Sequence, residues 1–157
     1  MILIFALTAL FGCDTDRVSK LERQNAELKA QAEKVRDFDL QAKCSTDSEA
    51  WFREHWEAVR GAKSTLSLDY TNHYNQLSNK CFILVEYHYG ASVSSSWTNN
   101  IALYDVYENV KYGQLGDSHY VGLNSGMGDN VVTCEILDKK CATVEQFNGM
   151  VQPYMNN

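Results

Sequence analysis

From Asp14 to Lys43 the chain contains neither glycine nor proline. The segment DTDRVSKLERQNAELKAQAEKVRDFDLQAK is built largely from Leu, Ala, Glu, Lys, Gln and Arg, all strong helix formers. Nothing in it offers a turn, so one uninterrupted helix is the expectation. With Val18 at heptad position a, Leu21 falls at d, Asn25 at a, Leu28 at d, Ala32 at a and Val35 at d. That 3.5-residue spacing is the seam of a short coiled coil, and Asn25 is the residue type that fixes register at a cost in stability. The flanking charges contribute little: Arg17 can meet Glu22, but Gln24 with Lys29 and Gln31 with Arg36 are nearly neutral pairs. A lone amphipathic helix, packed on its own domain or exposed, is the rival reading, because so short a seam is marginal alone. Either way, about 25 helical residues span roughly 38 Å.

Before this segment stands an uncharged apolar run, Met1 to Gly12, that ends on Cys13. Its apolar core of about 12 residues makes roughly 18 Å of helix, too short for a bilayer core of about 30 Å. A short apolar run closed by small residues reads as an export signal. Leu10-Phe11-Gly12-Cys13 resembles the lipobox of bacterial lipoproteins, with an aliphatic residue three before the cysteine and a small residue just before it. The resemblance implies removal of residues 1–12 and a lipid-modified Cys13 at the mature N-terminus. Asp14, directly after the cysteine, resembles the inner-membrane retention signal of enterobacterial lipoproteins. Those features imply a protein anchored in the bacterial cell envelope by membrane lipid, facing the periplasm. The expected organisation is a signal over 1–12, a lipid-anchored helical stalk over 13–43 and a globular domain over 44–157.

The net charge of −6 sits entirely in that domain. Asp14 to Lys43 holds seven acids and seven bases, whereas Cys44 to Asn157 holds thirteen acids and seven bases. An acidic domain repels phosphate backbones, so nucleic acid is not an expected partner. With Cys13 set aside, Cys44, Cys81, Cys134 and Cys141 remain, an even count that reads as two disulfides in an exported domain. Three pairings are open. Cys134 and Cys141 flank EILDKK, a strand end and a turn, which suits a local bridge and leaves Cys44 for Cys81. No two cysteines have the short gap of a zinc site.

The domain reads as α+β, an antiparallel sheet of about five strands with an N-terminal and a C-terminal helix. Thr46-x-x-Glu49 has the form of a capping box for a helix ending near Gly61, with Trp51, Phe52, Trp56 and Val59 as its apolar face. TLSLDYTNHY, KCFILVEYHY, NIALYDVY, VKYGQL and NVVTCEIL alternate like strands joined by short turns. GASVSSSW, which ends on Trp97, reads as a loop, and so does the stretch around His119. Thr143-x-x-Gln146 caps a last helix carrying Val144, Phe147 and Val151.

Chemistry is sparse in this pattern. If Tyr74 pairs with Cys81, then Asp69, His73, Glu86 and His88 share one sheet face. His73, Glu86 and His88 are then candidate metal ligands or acid–base groups, against the plainer reading of a half-solvated face that also carries Phe82 and Leu84. His55, beside the apolar face of the first helix, reads as a packed, hydrogen-bonded histidine. The consecutive serines lack a Gly-x-Ser-x-Gly setting, and Gly126-x-Gly128 precedes a strand rather than a helix. No cofactor is expected. The pattern suggests a non-enzymatic binding, interaction or accessory module that meets a protein or envelope component, with homo-oligomerisation through the stalk. The competing readings are a metal-assisted hydrolase on the histidine-bearing face and a phage-borne exclusion or structural lipoprotein.

Overall fold

The structure, a computed structural model, describes residues 12–92, 96–120 and 128–156. The expected signal peptide therefore lies outside the described residues except for Gly12. Two compact units divide at residue 39, Met1–Asp39 and Leu40–Asn157. Among the described residues no helix is long and apolar enough to cross a membrane.

Helix α1 runs Gly12–Arg60 without interruption. In the first unit the heptad positions lie open to solvent, with Val18 at 51%, Leu21 at 52%, Leu28 at 62% and Val35 at 61% exposure. In the second unit the same helix carries Leu40, Cys44, Ser48, Trp51, Phe52 and Trp56, spaced to face one side. That stripe explains a departure from expectation. Thr46 lies inside the helix rather than at its start, and its hydroxyl donates to the Ala42 carbonyl one turn back. A capping sequence is a local preference; a buried stripe running through it keeps the helix going.

The sheet has six antiparallel strands, not five, in simple sequence order: β1 Thr65–Asn75, β2 Lys80–Ser92, β3 Ser96–Asp105, β4 Val110–Tyr120, β5 Gly128–Ile136 and β6 Lys139–Lys140. Strands β2, β3 and β4 extend beyond the expected spans, so Gly90 and Trp97 are ladder partners rather than loop residues, and His119 is in a strand. Tyr74 faces Cys81, the register expected from the alternation. Asn79 and Asn109, both with positive φ, turn the first and third hairpins, as suits asparagine. Gly113 is required by close approach: a Cβ there would lie 2.5 Å from the Glu135 carbonyl oxygen.

The pleat divides the core in two. Tyr74, Cys81, Ile83 and Val85 pack under α1 with Phe52 and Trp51. Phe82, Leu103, Leu115 and Ile136 pack on the other face under α2 (Val144–Met155) through Phe147 and Val151. Helix α2 starts at an N-cap Thr143 whose hydroxyl accepts from the Gln146 N–H, while the Gln146 side chain accepts from the Ala142 N–H. Two disulfides brace the domain. Cys44–Cys81 ties α1 to β2 with Cα atoms 5.4 Å apart, and Cys134–Cys141 closes the β5–β6 hairpin with Cα atoms 5.0 Å apart.

Candidate functional site

On the α2 face, alternation continues along β3 past Leu103 and Ile101 to Asn99 and Trp97, and along β4 past Leu115 to Asp117 and His119. Cross-strand pairing aligns these residues in rows. Asn99 faces Asp117, and Trp97 faces His119. On the neighbouring strand, His88 faces Asn99 and Gly90 faces Trp97. Gly90 has a steric reason: a Cβ there would lie 2.8 Å from the Trp97 Cα. The Trp97 indole stacks on the His119 imidazole with centroids 3.8 Å apart and planes 18° apart, and His88 lies on the indole's side at 5.0 Å. His119 Nε2 is 3.1 Å from Asp117 Oδ2. Three strands thus carry a His–Trp–His row over a carboxylate–imidazole pair.

Asp117 is 4% exposed, and its other oxygen, Oδ1, is buried with no hydrogen-bond partner; so is Asn99 Oδ1 in the same row. Buried acceptors without donors are rare because desolvation costs about 1–3 kcal/mol each. A second buried carboxylate in the same sheet makes the contrast. Asp105 is 0% exposed, yet Oδ2 is 2.5 Å from Lys80 Nζ and Oδ1 accepts from the Tyr107 and Glu108 N–H groups. Lys80 also meets Glu108 at 2.6 Å, and these hydrogen bonds to Asp105 and Glu108 raise its pKa well above the usual lysine value. Asp105 is a completed structural knot, whereas Asp117 is half completed. Beside Asp117 a cleft of about 470 Å³ runs to the first turn of α2, lined also by Val131, Val144 and Glu145. The Glu145 pKa is held down by its own backbone N–H and the Thr143 hydroxyl.

The candidate metal residues fare differently. His73, Glu86 and His88 do lie on one face, as the register requires. His73, however, is opposite Phe82, and Glu86 is four residues further along β2, about 13 Å at strand rise. One ion cannot bridge that span. Among the described residues no group of three or more His, Cys, Asp or Glu is placed to hold a metal ion. His55 is a packing group: its Nδ1 is 2.8 Å from the Trp51 carbonyl and its ring stacks on Trp51 at 4.4 Å. The tyrosines divide between the faces. Tyr70, Tyr74 and Tyr104 pack against the α1 core, while Tyr112 and Tyr154 pack against the α2 core.

Trp97 and His119 lie in paired strands rather than in the expected loops, and that pairing forms the Trp97 and Asp117 rows. The signal that reveals them is the every-second-residue pattern Trp97, Asn99, Ile101, Leu103 matched by Leu115, Asp117, His119. No family model, no curated protein and no solved structure matches this chain.

Proposed function

We propose that this chain is an exported, lipid-anchored binding module of the bacterial cell envelope. Residues 1–12 are removed, Cys13 carries acyl chains, and the following helix is both spacer and self-association element. The disulfide-braced domain meets a protein or envelope component on the periplasmic side. The observation that carries this reading is the pairing of all four cysteines downstream of Cys13 in two disulfides. Such bonds persist in oxidising compartments and are rare where thiols are kept reduced.

The physical parts of the reading agree with one another. More than one acyl chain is needed for stable anchoring, at about 0.8 kcal/mol per buried CH₂. An acidic domain gains nothing from anionic headgroups, and a helix of roughly 38 Å exceeds the physiological Debye length of about 8 Å several-fold. The seam residues Val18, Leu21, Leu28 and Val35, all more than half exposed, are what a second copy would cover in parallel, with Asn25 fixing the register. Fatty-acid labelling in a bacterial host tests the anchor. The wild type should incorporate label, while Cys13→Ser should incorporate none and accumulate as the unprocessed precursor. Equal labelling of the two, or none in the wild type, contradicts the proposal.

A further inference from the structure

We infer that the cleft between β4, β5 and the first turn of α2 binds an alkylammonium group, with Asp117 as its acceptor. Asp117 is 4% exposed, is engaged by His119 through Oδ2 alone, and lines the cleft. Its Oδ1 and the Asn99 Oδ1 are buried without donors, and the two residues are direct cross-strand partners on one face. Such partners hold their Cβ atoms about 5 Å apart. A buried carboxylate oxygen without a donor, at the wall of a cleft, matches a group with several N–H donors and a positive charge. A primary ammonium has three donors and no acceptor.

The rest of the lining points to the same class. Val131 and Val144 supply apolar wall for a stem, and Glu145 adds a second carboxylate at the α2 end. No lysine or arginine is among the described residues lining this cleft. Lys140, on β6, is cross-strand from Glu135. An anion would meet two carboxylates here, and a neutral apolar ligand would leave Asp117 Oδ1 unsatisfied. The ammonium can belong to a free amine or to a lysine side chain of a partner; the chemistry at Asp117 is the same.

The inference goes beyond the proposed anchor and does not depend on it, since a silent titration leaves the labelling result standing and the reverse also holds. The test is calorimetric titration of the full-length chain with n-butylammonium, n-butanol, tetramethylammonium and N-acetyl-lysine-methylamide. Saturable n-butylammonium binding with Kd of about 1 mM is expected, with no saturation by butanol or tetramethylammonium. Asp117→Asn, which keeps the shape and removes the charge, should weaken binding at least about 10-fold. Tighter binding of the lysine derivative than of n-butylammonium assigns the cleft to a partner's lysine; weaker binding assigns it to free amines. Absence of saturation by n-butylammonium up to about 10 mM, or equal binding of butanol, overturns the inference. So does undiminished binding by an Asp117→Asn protein that melts cooperatively. If that variant does not fold, the wild-type ligand series decides alone.

Discussion

At the scale of single residues, the sheet contains one backbone position its side chain does not suit. Leu137, in the β5–β6 turn, has φ of 52° and is 54% exposed. A branched side chain in the left-handed region costs about 1–2 kcal/mol, which asparagine largely avoids. Leu137→Asn should therefore raise unfolding stability by about 1 kcal/mol, read by urea denaturation; an unchanged midpoint would show that the turn carries no strain. Alkaline pH tests three other residues. Burial pushes up the Tyr87 and Tyr104 phenols, Tyr104 also through Tyr87, and the hydrogen bonds to Asp105 and Glu108 push up Lys80. All three folded values lie above the ordinary 10.0 for tyrosine and 10.5 for lysine. Their stabilisation is thus complete below those ordinary values and lost as pH rises through the folded ones. Stability should hold from neutral pH to about pH 10 and then fall, less steeply in Tyr87→Phe/Tyr104→Phe. A double variant with the wild-type pH profile would show that the two tyrosines do not set the alkaline limit. Lys80→Met should cost about 3 kcal/mol at pH 7, because buried Asp105 loses its cation.

Individual elements differ in how plainly their residues announce them. Helix α2 and the β1–β2 register are legible, because a cap at Thr143 and two-residue alternation agree with the final packing; α1 is legible as helix from its composition, but its run through Thr46 is not. The ends of β2, β3 and β4 are not legible, because glycine and serine have little local strand preference and are drawn in by pairing with neighbours. β6 has two residues, too few for any periodicity. The candidate site sits in those less legible strand ends, where only cross-strand pairing brings its residues together. Exposed edges are managed locally. On edge strand β1, the Tyr70 N–H donates to its neighbour Asp69 at 2.8 Å, and the Tyr74 N–H donates to Gln41 of α1 at 2.8 Å. Outward N–H groups capped in this way do not recruit another strand. The open seam of α1 is the contrary case. Leu21→Lys/Leu28→Lys should abolish self-association in analytical ultracentrifugation while leaving the domain's melting transition unchanged. A wild-type chain that sediments as a monomer would reject the seam.

On the scale of the whole molecule, two cross-links brace an acidic α+β domain whose chain follows the sheet in order, without crossovers. Loop closure sets their relative worth. Cys44 and Cys81 are 37 residues apart, so their bond should contribute about 4 kcal/mol in the chain-entropy model. Cys134 and Cys141 are 7 apart, so theirs should contribute about 2 kcal/mol. Cys44→Ser/Cys81→Ser should accordingly lower the melting temperature more than Cys134→Ser/Cys141→Ser; the opposite order would contradict that ranking. Both bonds bear on the proposed location in the same way, because disulfides persist in oxidising compartments, and Cys13 would supply the proposed route and tether. The intact mass of the membrane-extracted protein, taken before and after reduction, tests export and anchoring together. Loss of residues 1–12, added acyl mass on Cys13, and a gain of four hydrogens on reduction, two per bridge, are the expected result. An unprocessed chain of unmodified mass that gains nothing on reduction would contradict it.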